Sequence, residues 1–182
     1  MAERPRPRRL GHVVLNVRDL TASVRFYTEI VGLEVSDYIE DQMAFLRCGH
    51  DHHDLALAQI DLNANASDDT YRPGRPGLEH FSYELESLAE IEDAARFLQL
   101  RGVEIVRGIG KHGPGENLFL VFKDPDGNYV EYYADMVQVT AENPYAARVW
   151  KNDLDAFDQW HFDRFLVEPP KWGPRDGGKD DT

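Results

Sequence analysis

The spacing of apolar and polar positions changes several times along the first 60 residues. Gly11–Arg18 (GHVVLNVR) carries a mixed apolar alternation and predicts a strand. Asp19 then stands where an N-cap is wanted. Leu20, Val24, Tyr27 and Ile30 recur at helical spacing to near Val31, and Gly32 supplies the stop. Three short strands follow at Leu33–Tyr38, Gln42–Cys48 and Asp54–Ile60. The stretch Asp61–Gly77, rich in Asn, Asp, Pro and Gly, reads as a linker. Beyond it come a strand at Leu78–Leu85 and an amphipathic helix at Ser87–Arg101, with Leu88, Ile91, Ala95 and Leu98 on one face and Gly102 at its end. Val103–Arg107, Asn117–Lys123 and Tyr129–Ala134 predict three more strands.

The order βαβββ therefore occurs twice, over residues 11–60 and 78–135, and GHVVLNVRDL in the first copy is answered by LEHFSYELESL in the second. One copy alone has too little core to be stable, so the two are expected to pack together. The fold class expected is α+β, with two paired βαβββ modules forming a curved sheet that makes a cup. Residues 1–10, with Arg4, Arg6, Arg8 and Arg9, read as a flexible basic arm. Residues 136–182 form an extension that is too aromatic for disorder as far as Trp172 and a loose end beyond it. Its Trp150 and Trp160 are expected to cover the open side of the sheet.

Composition narrows the functional classes. The net charge of −13 argues against a nucleic-acid partner. The apolar runs are far shorter than the roughly 18–20 residues of a membrane span, so no membrane association is expected. A single cysteine, Cys48, excludes an intrachain disulfide framework and fits a reducing compartment. The arginine-rich start has no apolar core of a secretory signal, and a cytoplasmic location is the expectation. No GxGxxG or P-loop pattern occurs, so no nucleotide is expected.

Three polar positions fall where the duplication gives them meaning. His12 opens the first strand of copy one, and His80 holds the matching place in copy two. An approximate twofold between the modules would bring those strand starts together. Core packing does not require the same polar residue twice. Glu131 lies between Val130 and Tyr132 in the last strand, where a buried carboxylate costs several kcal/mol unless a cation meets it. Two imidazoles and one carboxylate make the facial ligand set that leaves open coordination positions on Fe(II).

The duplicated modules, with the motifs GHVVL, LEHFSY and KDPDGNYVEYY, resemble the vicinal oxygen chelate superfamily of glyoxalase I, bleomycin-resistance proteins and extradiol ring-cleaving dioxygenases. Further motifs resemble the catalytic domain of type I extradiol dioxygenases. HHDLAL places His53 at an active-site histidine of those enzymes, and KHGPGENLFLVFKDPDGNYVE places His112 at a substrate-contacting one. The resemblance implies that His12, His80 and Glu131 hold Fe(II), with Mn(II) the other metal considered. It implies that His53 stabilises oxygen-derived intermediates and moves protons, and that His112 hydrogen-bonds the substrate. Laying DLALAQ on YVEYYA pairs Ala56 with Glu131, so the second carboxylate that glyoxalase I uses as a ligand is missing here. Those dioxygenases also usually carry a tyrosine at the place of Val121, which is expected to line the pocket and favour a bulkier or more apolar ring.

The expected partners are a small aromatic diol and O2, with the chain forming a homo-oligomer. Two other readings stay open. One is a metal-dependent isomerase, lyase or thiol transferase of the same superfamily, using the metal as a Lewis acid. The other is a non-catalytic protein that binds or sequesters a small molecule. Cys48 has no acidifying neighbour pattern and reads as a strand residue rather than a nucleophile.

Overall fold

A computed structural model of the chain describes residues 4–60, 76–123 and 127–169. Most of the linker, the start of the DPDGN turn and the end of the extension lie outside the described residues. Among the described residues nine strands form one mixed sheet: β1 (Arg9–Val17), β2 (Glu34–Ile39), β3 (Met43–Arg47), β4 (Leu55–Gln59), β5 (Gly77–Glu84), β6 (Ile105–Lys111), β7 (Leu118–Lys123), β8 (Tyr129–Ala134) and β9 (Arg148–Trp150). Their order across the sheet is β6-β7-β8-β5-β1-β4-β3-β2-β9. Each module keeps its first strand beside its last, β1 parallel to β4 and β5 parallel to β8. The modules join where β1 and β5 run antiparallel at the centre of the sheet. The paired βαβββ architecture expected from the duplication is thus present.

The register makes the internal symmetry concrete. Val14, two residues after His12, pairs with Ala56; Ser82, two residues after His80, pairs with Glu131. Ala56 and Glu131 are therefore equivalent positions. Alternation along each strand then sorts the side chains between the two faces. Leu57 of β4 and Ala44 and Leu46 of β3 pack with Leu20, while Ala56, Ala58, Met43 and Phe45 turn the other way into a cluster with Val14 and Ile39. In the second module Leu118, Leu120, Phe122 and Val130 pack with Ile91, Ala94, Ala95 and Leu98 of the helix.

Both predicted helices form, the first with the cap the sequence offers. Helix α1 (Leu20–Phe26) starts at Asp19, whose side chain accepts from the Ala22 amide at 2.9 Å, and continues through one wider turn at Tyr27–Val31 before Gly32 at φ +90°. Helix α2 (Leu88–Leu100) is capped by Ser87. No helix among the described residues is long and apolar enough to cross a membrane.

Two boundaries need correction. The basic arm was expected to run through residue 10, yet Arg9 and Leu10 belong to β1. The Arg9 guanidinium bridges Glu84 at 2.5 Å and the buried Asp51 at 2.6 Å, which fixes the start of the strand. The second strand of the second module runs to Lys111 rather than stopping at Arg107. Gly108 and Gly110 let it pass close to β7; a Cβ at Gly108 would stand 2.7 Å from the Phe119 carbonyl. The extension adds what periodicity did not reveal, β9 beside β2 and a short helix α3 (Leu154–Phe157).

Candidate metal centre and its cavity

His12, His80 and Glu131 come together. One potential ligand atom from each lies within 4.8 Å of the others, and all three residues are buried. His12 Nε2 is 3.3 Å from His80 Nε2 and 3.1 Å from Glu131 Oε1, and His80 Nε2 is 3.7 Å from Glu131 Oε2. The two histidines come from the central antiparallel strand pair, and Glu131 arrives from β8 across the Ser82 register. Burial lowers the His12 imidazole below its ordinary range and outweighs the nearby Glu131, so the ring is neutral. Burial would raise the Glu131 carboxyl, but the facing nitrogens of His80, His12 and His112 more than offset it and hold it well below the usual carboxylate range. Neutral imidazole and ionised carboxylate are the forms that bind a metal ion.

The donor set also fits a cation in another respect. Glu131 Oε2 is buried without a hydrogen-bond partner among the described residues, an arrangement that costs free energy unless a positive charge occupies the space before it. Behind this triad sit side chains the sequence reading did not select. Ser82 Oγ donates to Glu131 Oε1 at 3.0 Å and stands 2.8 Å from His12 Nε2. The Glu79 carboxylate contacts His80 Nδ1, the usual way an outer carboxylate fixes the ring of a ligating histidine. Their positions were the available signal: Ser82 shares a strand face with His80, and Glu79 is its neighbour.

Beside this triad opens a cavity with about 450 Å³ of empty space including its mouth, lined by His12, His53, His80, Arg107 and His112 and by an apolar wall that includes Val14, Ile39, Phe45, Ala56 and Phe157. That lining suits a small, mostly apolar ligand. His53 is fully buried, with its ring centroid 4.5 Å from that of His12. Burial holds His53 well below its ordinary range, helped by His12 and His52, so it too is neutral. His112 stands nearer the mouth, stacked on Phe119 at 4.0 Å, with Nε2 3.9 Å from Glu131 Oε2. Its Nδ1 donates to the Phe157 carbonyl at 2.8 Å. Val121 lies directly across the ladder from Glu131, fully buried, but it is not among the residues around the cavity. Cys48 is exposed, and burial together with Asp54 pushes its thiol up, against any role as a nucleophile.

The extension closes the cup. Ala156 and Phe157 join its apolar wall. The buried Asp158 accepts from the amides of Lys111, Trp160 and Phe162, fastening this segment to β6. Gly113 touches it most closely: a Cβ there would stand 2.5 Å from the Asp155 carbonyl and 2.8 Å from the Trp150 ring. Gly113→Ala is therefore expected to destabilise the fold by roughly 1–3 kcal/mol, the usual cost of overpacking. It should also speed proteolytic cleavage within residues 136–169; a wild-type cleavage rate would show that the extension does not depend on this contact.

A family model described as the Glyoxalase/Bleomycin resistance protein/Dioxygenase superfamily matches residues 9–132. Metapyrocatechase 2 of Cupriavidus necator is 29% identical over 160 residues, covering 87% of this chain and 46% of its own. Biphenyl-2,3-diol 1,2-dioxygenase 3 of Rhodococcus globerulus is 33% identical over 129 residues, covering 70% of this chain and 63% of its own. Among solved structures, the Mn(II)-bound glyoxalase from Novosphingobium aromaticivorans superposes with a TM-score of 0.73 at 30% identity, covering 85% of this chain and 46% of that one. The chain spans about half the length of most of the curated relatives it matches.

Proposed function

The chain belongs to the Glyoxalase/Bleomycin resistance protein/Dioxygenase superfamily, and on that premise we propose that it is an extradiol ring-cleaving dioxygenase, opening a catechol-like ring beside its two hydroxyls with O2. The difference between its two modules carries this reading. Glu131 supplies a carboxylate in one module, while the equivalent Ala56 in the other is an apolar wall residue of the cavity. Three protein ligands leave room for two adjacent substrate oxygens and O2, whereas a fourth would take up part of it. The names of the relatives, a metapyrocatechase and a biphenyl-2,3-diol dioxygenase among them, support the same assignment.

His12, His80 and Glu131 would hold iron(II), or manganese(II) as in the related solved structure. When bound, the ion would supply the point where diolate and O2 meet and through which charge passes between them. The protein's residues then have separate tasks. His53, neutral and beside His12, takes a proton from a hydroxyl of the bound diol and returns it later in the reaction. His112, its Nδ1 committed to the Phe157 carbonyl, has Nε2 left to accept a hydrogen bond from the substrate. The apolar wall excludes water and favours a ring with apolar substituents.

The test is anaerobic reconstitution with Fe(II), followed by O2 uptake against a panel of catechols. Uptake matched to ring-opened product supports the reading; turnover that proceeds equally without O2 would assign the site to Lewis-acid chemistry instead. One substitution probes the ligand count directly. Ala56→Glu places a second carboxylate at the position equivalent to Glu131 and is expected to retain the metal while losing at least about tenfold in diol-dependent O2 uptake, as a fourth ligand closes an open position. Wild-type uptake by that variant, with metal bound, would remove the argument from ligand number.

A further inference from the structure

His52 is the chain neighbour of His53, and Asp37 lies in β2. The structure buries both completely and sets them in line behind His53. Asp37 Oδ2 lies 3.3 Å from His52 Nε2, and His52 Nδ1 lies 3.1 Å from His53 Nδ1. Asp37 is also the point on which the extension converges. Its Oδ1 accepts from the Arg148 amide at 2.7 Å, and its Oδ2 accepts from the Tyr145 hydroxyl at 2.7 Å and from Trp150 Nε1 at 2.8 Å.

The chemistry of these donors decides where the protons lie. A backbone amide and an indole nitrogen can only donate. The Tyr145 oxygen receives the Arg148 guanidinium at 2.6 and 3.1 Å, which leaves its single proton for Asp37. Asp37 therefore acts as an acceptor toward all three and is ionised. Burial would raise its carboxyl, but these hydrogen bonds and the His52 contact hold it below the ordinary range. His52 Nε2 lies 3.3 Å from that negative charge without a hydrogen bond aligned to it, and a lone pair there would face the carboxylate, so an imidazole with one proton carries it on Nε2. His52 Nδ1 is then bare, and the 3.1 Å contact is satisfied only if His53 donates from its own Nδ1.

We propose that Asp37 and His52 are positioning residues that fix the proton of His53 on Nδ1, so that Nε2 meets the substrate hydroxyl as a bare acceptor. This deepens the dioxygenase reading and rests on it for the identity of the substrate. The tautomer itself rests only on the donors around Asp37. It also gives the extension a task beyond covering the cup, since Tyr145, Arg148 and Trp150 orient the carboxylate at the head of the row.

The test reads the tautomer and the chemistry separately. Two-bond ¹H–¹⁵N correlation spectra of the full chain loaded with diamagnetic Zn(II) should show His53 protonated at Nδ1 in the wild type. In Asp37→Asn the amide can donate to His52 Nε2, which drives the His52 proton to Nδ1 and the His53 proton to Nε2. If Asp37→Asn does not fold, His52→Phe keeps an aromatic ring in place and should release His53 into a mixture of tautomers. With iron, either variant should lose about 10²–10⁴-fold in kcat, the range for an acid–base group and its orienting carboxylate, while anaerobic diol affinity stays at the wild-type value. Adding His52→Phe to His53→Phe should cost no further turnover.

A wild-type His53 protonated at Nε2, or a tautomer that ignores both substitutions, would overturn the proposal, as would additive losses in the double variant. If the tautomer responds as expected but no diol is cleaved, the dioxygenase reading fails and the positioning row stands.

Discussion

Replacing His12, His80 or Glu131 by Ala is expected to leave the purified protein without its metal while most of the fold survives. Changing an outer partner of a ligating histidine typically costs about 10–100-fold in metal affinity, and removing a ligand from a three-residue set should cost more. The reason lies in how the site is built. His12 and His80 come from opposite modules and Glu131 from a third strand, so no pair of them forms a site on its own. The fold does not depend on the same contacts, because three apolar clusters and the central β1–β5 pairing hold the sheet. Glu131→Ala also removes a buried carboxylate oxygen that has no hydrogen-bond partner among the described residues, which limits its cost to the metal-free protein. Metal analysis after anaerobic loading and dialysis gives the direct reading. A second reading comes from thermal unfolding with added Mn(II). A ligand at a hundred times its Kd stabilises the folded state by about 2.7 kcal/mol, and the three variants should show none of that gain. Undiminished metal in all three would remove these residues from the site.

The triad was legible because a duplication doubles the information at each position. One histidine at a strand start says little, but two at equivalent starts, with a carboxylate inside an apolar strand, predict convergence. The structure brings all three within 4.8 Å. Alternation and capping were equally local signals, and Asp19 caps the first helix where the sequence placed it. What could not be read was whatever depends on partners distant in sequence. Asp37 looks like any polar strand residue until Tyr145, Arg148 and Trp150 arrive more than a hundred positions later. The strand β9 is three residues long and carries no periodicity of its own; its place follows from pairing with β2. Phe157 matters to His112 through a backbone carbonyl, which no side-chain pattern records. The candidate site is thus a duplicated core that the sequence announces, completed by an extension that only the folded chain connects to it.

His53→Phe is expected to separate binding from chemistry. The phenyl ring keeps much of the shape and apolar contact of the imidazole, which packs against His12 and against Phe45 at a centroid distance of 5.1 Å. The proposed ligands His12, His80 and Glu131 are untouched, so metal content should match the wild type. Anaerobic diol affinity should stay close to the wild-type value as well, since His112 and the apolar wall remain. Only the proton-handling nitrogen is lost. In the proposed reaction His53 would start neutral, because burial, with His12 and His52 beside it, disfavours its charged form. A neutral imidazole can take a proton from a hydroxyl of the bound diol, and the imidazolium so formed in a buried site is ready to give it back. Removing a general acid–base group typically costs about 10²–10⁴-fold, so turnover of the variant should fall by that much. The loss should appear in kcat, with a proportional fall in kcat/KM, because the missing interaction belongs to the transition state. A variant that turns over like the wild type would take His53 out of the chemistry and leave it as a wall residue. A variant that binds the diol poorly and cleaves what it binds at the wild-type rate would make His53 a binding residue instead.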